Sequence, residues 1–351
     1  MHLLILYEEL AWYFVNCLNF LAKNTNTTII VFSKRINQVA PFKFDYIHPN
    51  ITIYERENFS DEKLLNICLN FHPDFIYLGG WSYKPYIKLV KTLKVKNSVI
   101  GFDNQYNGSI KQIIGSLYFR IILKPLFKSA FVPGIQQERF AKKLGFKQAF
   151  IAQGAYCCDT ELFSKYYDET KEIKKTNFPK RFLFVGRYAS EKGISLLWEC
   201  FTEIQTESPN EWELWCAGKG EIKPELHPKI KHLGFLQPNE LGNVIKDTGV
   251  FVLPSSFEPW GVVLHEYATA GFPILSTHNV GACTKFLKNG ENGFCIASNI
   301  KIELKSKMKE FMAMSDDNLI QMSLKSRSLS SEITPKKWTE NLMKLYDHNA
   351  N

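Results

Sequence analysis

One stretch constrains this chain more than any other: Phe251 to Leu275, FVLPSSFEPWGVVLHEYATAGFPIL. It opens on three apolar residues, Phe251-Val252-Leu253, that read as the end of a buried strand. Pro254 has no N–H to give to a ladder and stops the pairing. A polar loop, Ser255 to Gly261, leads into a helical run from Val262 to Ala270. Gly271 suits the position where a helix ends, and Phe272-Pro273-Ile274-Leu275 begins another strand. Strand, loop, helix, strand is the unit of a parallel α/β sheet. Two acids take distinct places in it. Glu258 lies in the loop at the strand's carboxyl end, and Glu266 lies inside the helix, with seven residues between them. Ligands of open parallel sheets bind beyond the carboxyl ends of the strands. Gly261 permits close backbone approach there, and a helix N-terminus offers N–H groups to an anion. Spacing alone also fits a solvated helix residue and an acid at a helix entry.

With its Pro-Ser-Ser and Pro-Trp-Gly context, the segment closely resembles the E-x7-E signature of retaining, nucleotide-sugar-dependent glycosyltransferases of the GT-B fold, family-4 type. The resemblance implies that Glu258 contacts donor-sugar hydroxyls and Glu266 the ribose hydroxyls of the nucleotide. Pro259, Trp260, Gly261 and Val262 join the donor site on the same ground.

Other motifs in the second half fit this resemblance. Arg181 to Val185 reads as a strand, followed by the loop Gly186-Arg187-Tyr188-Ala189-Ser190-Glu191-Lys192-Gly193 and a helix from Ile194. Arg grips phosphate oxygens in a fork and Lys acts as a point charge. Gly-Arg-x4-Lys-Gly resembles the family's diphosphate loop, which implies that Gly186 lets the backbone turn and that Arg187 and Lys192 bind the diphosphate. Gly218, in Ala217-Gly218-Lys219-Gly220, matches the family's Gly-x-Gly, a motif that is weak alone. In relatives the turn at Gly234-Phe235-Leu236 lies against the base, so Phe235 and Leu236 are donor-binding candidates. Asn289 to Phe294 matches a turn before the last strand. The run from Thr334 to Tyr346 resembles the family's closing helix. The resemblance is strong over about 180 to 346 and architectural before that.

The first half alternates strands (Leu3–Tyr7, Thr28–Phe32, Phe75–Gly79, Ser98–Phe102, Phe131–Gly134) with helical runs, the pattern of a doubly wound parallel sheet. Three strand-end loops face the expected cleft. Glu8-Glu9-Leu10-Ala11-Trp12 is acidic where many relatives are Gly-rich, and can shape an acceptor site. Gly79-Gly80-Trp81-Ser82 is an ordinary turn, or offers Trp81 to a sugar face. Asp103-Asn104-Gln105 follows the fourth strand. Relatives often carry His where Asp103 stands, so Asp103 is a catalytic candidate, with Asn104 and Gln105 on the acceptor side. An Asp N-cap with a polar turn fits equally. From Ile110 to Ser129, Lys111, Arg120, Lys124 and Lys128 are set among apolar and aromatic residues. A core-facing helix with a solvated basic face is favoured, and a helix at a membrane surface is the alternative. The polar stretch Ser164 to Lys180 reads as a linker.

At 351 residues the chain exceeds what one core needs. The expected architecture is α/β, GT-B, with two Rossmann-like doubly wound domains facing across a cleft. Residues 1–170 form the acceptor side, 171–334 the donor side, and 335–351 a helix returning to the first domain. A net charge of +8 favours anionic partners. The eight cysteines form no Cys-x-x-Cys pair and no zinc-ligand spacing with His, which fits reduced core thiols. The N-terminus, MHLLILYEEL, lacks a basic n-region and reads as a strand, and no apolar run reaches membrane-span length. A cytoplasmic protein, at the inner face of a membrane if the basic helix docks there, is the expectation.

The reaction implied is retaining sugar transfer from a nucleotide diphosphate-sugar, UDP- or GDP-linked, to a saccharide or lipid-linked acceptor of polysaccharide, lipopolysaccharide or glycolipid synthesis. Without an Asp-x-Asp motif, no metal and no further cofactor are expected, and no nucleic acid. The alternatives are a nucleotide-sugar-binding scaffold that has lost catalysis, a nucleotide-sugar epimerase, and a membrane-surface interaction protein.

Overall fold

A computed structural model of the chain describes residues 1–34 and 41–350. It divides into two units. The first comprises residues 1–34, 41–157 and 333–350, and the second residues 158–332.

In the first unit the strands are β1 (His2–Tyr7), β2 (Thr28–Ser33), β3 (Ile51–Glu55), β4 (Phe75–Gly79), β5 (Ser98–Gly101), β6 (Ser129–Val132) and β7 (Ile151–Gln153). All their pairings are parallel, in the order β3-β2-β1-β4-β5-β6-β7. The strands read as continuous apolar runs because helices cover both faces. Leu4, Leu6, Ile76, Leu78 and Ile100 fill one face with Phe32, Tyr86 and Phe140. On the other, Trp338 of the closing helix Pro335–Ala350 packs on Phe14 and Phe131, and its indole N–H donates to the Ala155 carbonyl (2.8 Å). β3 is a half-exposed edge strand that no motif in the sequence announced.

The second unit holds β8 (Arg181–Val185), β9 (Glu213–Ala217), β10 (Ile230–Gly234), β11 (Val250–Leu253), β12 (Ile274–Thr277) and β13 (Gly293–Ile296). These too are all parallel, in the order β10-β9-β8-β11-β12-β13. Counted within the unit this is 3-2-1-4-5-6, the dinucleotide-binding order, and the first unit begins the same way. Strand order reverses direction between β8 and β11, which opens a crevice at their carboxyl ends. Between β1 and β4 the first sheet does likewise.

Two expectations fail. The stretch 164–180 is no linker: Thr160–Thr176 is one helix of the second unit, so the division falls after residue 157 rather than at 170. Asp159 caps it, accepting from the Leu162 N–H (3.0 Å), and Phe163 and Tyr166 are buried. Thr170 and Lys174 are buried with them, and the remaining polar residues form a solvent face laced by Lys165–Glu169, Lys171–Asp168 and Lys175–Glu172 pairs. The segment after Ile110 is not a core-facing helix either. Helix Ile110–Tyr118 buries no residue, and only Phe119, Leu123 and Phe127 beyond it reach the core.

Candidate functional site

The second unit's crevice is built from the loops after β8 and β11. The two loops are tied together by backbone. The Ser256 N–H donates to the Glu191 carbonyl (2.8 Å). Gly193 takes φ +68°, and a Cβ there would stand 2.2 Å from the Pro254 carbonyl oxygen. Across this seam Lys192 is ion-paired with Glu258, side chains 19% and 14% exposed. Arg187 pairs with Glu191 four residues on (2.6 Å), and both are much more open to solvent. Each cation is thus held by a carboxylate, one firmly and one in the weak manner of an exposed pair.

Glu258 is fixed from both sides. Its N–H donates to the Asn279 carbonyl (3.1 Å) and its own carbonyl accepts from the Gly281 N–H (3.1 Å). Gly261 has φ +88°, and a Cβ would lie 2.9 Å from the Glu258 Cγ and 3.0 Å from Val280. Helix Val262–Thr269 starts there. Glu266, half-buried on that helix, is not a solvated surface acid: burial, with the nearby Asp159 carboxylate, pushes its carboxyl up to about 8.

The carboxyl ends of β8, β9 and β10 close up through glycines. The Gly186 N–H donates to the Ala217 carbonyl (3.0 Å), and the Gly218 N–H to the Gly234 carbonyl (2.7 Å). A Cβ on Gly218 would fall 1.9 Å from the Gly186 oxygen, so the residue serves close packing between strand ends. Half-buried Phe235 and Leu236 follow β10, and Val262 is half-buried at the helix entry. Pro259 is half-buried in the β11 loop.

Trp260 departs from expectation. It is 1% exposed, its ring meets Phe286 edge-on (6.2 Å), and its carbonyl accepts from the Ala282 N–H. Its bulk sits under the loop, so the indole supports the site and has no face to offer a ligand. His265, next to Glu266, escaped the sequence reading. It is fully buried: Nδ1 accepts from the Cys158 N–H (3.2 Å), so Nε2–H donates to the Ser330 carbonyl (3.0 Å). Glu191 was also missed, although its place four residues after Arg187 on a short turn was a legible pairing signal.

The first unit carries a second concavity at its own strand-order reversal, about 420 Å³, lined by Tyr7, Glu8, Glu9, Tyr13, Tyr77, Asp103, Asn104 and Tyr156 among others. Glycines make room for the rings: a Cβ on Gly79 would meet Tyr7 at 2.4 Å, and one on Gly101 the Tyr77 hydroxyl at 1.9 Å. Burial holds the Tyr7, Tyr13, Tyr77 and Tyr156 phenols protonated, and the Asp103 charge adds to it. Glu8 bridges the loops after β1 and β4 by accepting from Ser82, and it pairs with Lys34 (2.6 Å). Burial would raise its carboxyl, but these bonds outweigh that and hold it below the usual range.

Asp103 is no helix cap, since Ser109 caps the helix that follows. Its carbonyl accepts from Gln137 (3.0 Å) and its charge faces the tyrosines. Half-buried Trp81 is not among the residues that line this concavity. Its ring turns inward to Phe102 (5.2 Å), Phe119 (4.9 Å) and Phe140 (6.4 Å). Gln105 lies outside the lining, and its carbonyl is taken by the Gln112 side chain (2.6 Å). Among the described residues no group of three or more His, Cys, Asp or Glu side chains gathers as a metal site requires.

Residues 168–325 match the glycosyl transferases group 1 family. The lipopolysaccharide core biosynthesis glycosyltransferase LpsE of Rhizobium meliloti is 32% identical over 119 residues, 32% of this chain and 33% of LpsE. The chain spans about a third to a half of the length of the curated relatives it matches. Over the whole chain, the fold matches a glycosyltransferase from Rickettsia africae (TM-score 0.75, 14% identity, 100% of this chain and 98% of that one). It also matches Anabaena HepE, solved with UDP and glucose (TM-score 0.70, 13% identity, 97% and 98%). The fold is GT-B, two parallel-sheet Rossmann-like units.

Proposed function

We propose that the chain is a retaining, metal-independent glycosyltransferase. It moves a sugar from a nucleotide diphosphate-sugar, UDP- or GDP-linked, to a saccharide or lipid-linked saccharide in surface polysaccharide, lipopolysaccharide or glycolipid synthesis. No further cofactor takes part. The observation that carries this reading is the grouping of Arg187, Lys192 and Glu258 at the carboxyl ends of β8 and β11, with Glu266 on the adjoining helix, inside the region that matches the family. The likeness to LpsE, a lipopolysaccharide core glycosyltransferase, and to HepE, solved with UDP and glucose, supports the donor and acceptor classes. Metal independence rests on the missing Asp-x-Asp motif and on the two cations available to the phosphates.

In this reading the second unit holds the donor. The diphosphate replaces Glu191 on Arg187 and shares Lys192 with Glu258, which turns toward the sugar hydroxyls. Glu266 takes the ribose hydroxyls. Half-buried Phe235 and Leu236 border the base, and Gly186 and Gly218 let the backbone come close. As the bond from the anomeric carbon to the phosphate oxygen breaks, negative charge grows on the diphosphate. Preorganised cations stabilise it, and losing one donor of this kind costs about 3–4 kcal/mol of barrier. The acceptor oxygen attacks from the same face, and its proton passes to the departing phosphate oxygen, so configuration is retained. The first unit receives the acceptor among the tyrosines, with Asp103 and Asn104 orienting its hydroxyls. The setting is cytoplasmic, with peripheral contact at the inner face of the membrane that carries a lipid-linked acceptor.

Thermal unfolding with UDP, GDP, ADP and CMP tests the reading. One nucleotide diphosphate should raise the melting temperature of the wild type and leave Glu266→Ala unmoved. At 100 times its dissociation constant a ligand adds about 2.7 kcal/mol. Arg187→Ala and Lys192→Ala should each lower turnover roughly 10²–10³-fold. If no nucleotide shifts the wild type, the donor site is wrong. A shift without sugar transfer would favour a nucleotide-sugar-binding scaffold.

A further inference from the structure

Helix Ile110–Tyr118 and the wide turn that continues it, Phe119–Leu123, carry an apolar stripe on the wrong side. Ile110, Ile113, Ile114, Leu117, Tyr118, Ile121 and Ile122 recur at i, i+3, i+4, i+7, i+8, i+11 and i+12, the spacing of a core-facing stripe. All seven are exposed, from 43% at Ile122 to 77% at Ile110. Single exposed apolar residues are ordinary, but a contiguous stripe marks a surface that meets something. The opposite side is anchored by Phe119 and Leu123, both buried, so the segment is fixed with its stripe outward.

Charge identifies what it meets. From Asn104 to Gln137 the sequence contains no acid, while Lys111, Arg120, Lys124 and Lys128 fall within it. On a helical wheel exposed Lys111 and Arg120 lie at opposite edges of the stripe. Lys124 reaches the Phe127 carbonyl (3.0 Å) and lies over the Phe146 ring, holding the end of the segment down. A second copy of the chain seated here would bring like charges together, since the stretch holds no acid to meet these cations. No described helix is long and apolar enough to cross a membrane. Cations flanking an exposed apolar stripe, with Tyr118 amphipathic at its side, match a bilayer surface with anionic headgroups.

We propose that residues 110–122 form a docking surface for a membrane carrying anionic lipids. The stripe lies in the boundary between headgroups and acyl chains, and Lys111 and Arg120 meet lipid phosphates. This surface belongs to the first unit and gives residues to the peripheral membrane contact of the proposed function, while its lipid binding can be measured without any sugar transfer.

Co-sedimentation of the full chain with phosphatidylcholine vesicles, with and without about one third phosphatidylglycerol, tests it. The chain should pellet with the anionic vesicles, less so as salt rises. The double variant Ile114→Glu/Leu117→Glu should reduce binding by about tenfold or more. Lys111→Glu/Arg120→Glu should erase the preference for anionic over neutral vesicles. Because all four side chains are exposed, unchanged melting temperatures are expected for both variants. No pelleting with either vesicle overturns the proposal. So does a dimer in light scattering that Ile114→Glu/Leu117→Glu dissolves, since the occupant would then be a second copy. Nucleotide shifts measured alongside separate the two readings: a chain that binds nucleotide but ignores vesicles loses only this one.

Discussion

His265 and Glu266 are neighbours on one helix, yet their protonation pulls stability in opposite directions. His265 is clamped between the Cys158 N–H and the Ser330 carbonyl and stacked on Phe286 (4.1 Å), and burial lowers it from 6.5 to about 4. Between those values the unfolded chain takes a proton that the folded one refuses, so this contribution is lost as pH falls from 6.5 to about 4. Glu266 is raised from 4.5 to about 8. Over that window the folded chain keeps a proton that the unfolded one releases, so this contribution is lost as pH rises. The two slopes oppose each other between pH 4.5 and 6.5. Relative to wild type, Glu266→Gln should gain stability steadily as pH rises from 4.5 to 8, by roughly 1 kcal/mol per pH unit. His265→Gln should gain, relative to wild type, as pH falls below 6.5, less the cost of any hydrogen bond it loses. Urea midpoints across pH 4–8 measure both differences. A Glu266→Gln curve parallel to wild type would mean that the carboxyl titrates normally and is well solvated.

At the scale of elements, the seam between the β8 and β11 loops depends on one residue. Gly193 opens helix Ile194–Glu207 in a left-handed conformation, against the Pro254 carbonyl. Gly193→Ala adds strain at positive φ and a clash with backbone, which has no rotamer by which to yield. It should destabilise by roughly 2 kcal/mol or more and separate Lys192 from Glu258. A melting curve with and without the stabilising nucleotide checks it, and an unchanged shift would show that the seam does not shape the site. The strands and loops of this region were legible because Gly, Pro and apolar runs mark them directly. Thr160–Thr176 was not, since its buried residues are spread among ion pairs that resemble linker composition. Helix Lys301–Ala313 hid differently: Leu304, Met308 and Phe311 are buried, but Ile302 is 83% exposed and blurs the stripe. Residues 110–122 misled in the reverse sense. Periodicity reports that an apolar face exists, and only the fold reports whether the protein itself covers it. The pairing of Lys192 with Glu258 joins residues 66 apart in sequence, and no local pattern contains it.

At the scale of the whole molecule, the chain enters the first unit twice, since residues 333–350 return to it after the second unit is complete. Trp338 is the residue that makes this return count. It is fully buried, contacts Phe14 from the first helix and Phe131 from β6, and spends its indole N–H on the Ala155 carbonyl. Trp338→Ala leaves a cavity and an unpaired carbonyl, a loss of about 3–5 kcal/mol for a buried aromatic. Each unit has its own sheet and its own core, so the loss should stay where the tryptophan is. Amide exchange in the full-length variant should quicken in β1 and β6 and stay as slow as wild type in β8 and β11. The nucleotide shift should persist, because Arg187, Lys192, Glu258 and Glu266 all belong to the second unit. Equal loss of protection in both sheets would mean instead that the two units unfold as one cooperative body. The C-terminal helix would then stabilise the crevice between the β8 and β11 loops as much as the unit it is packed in.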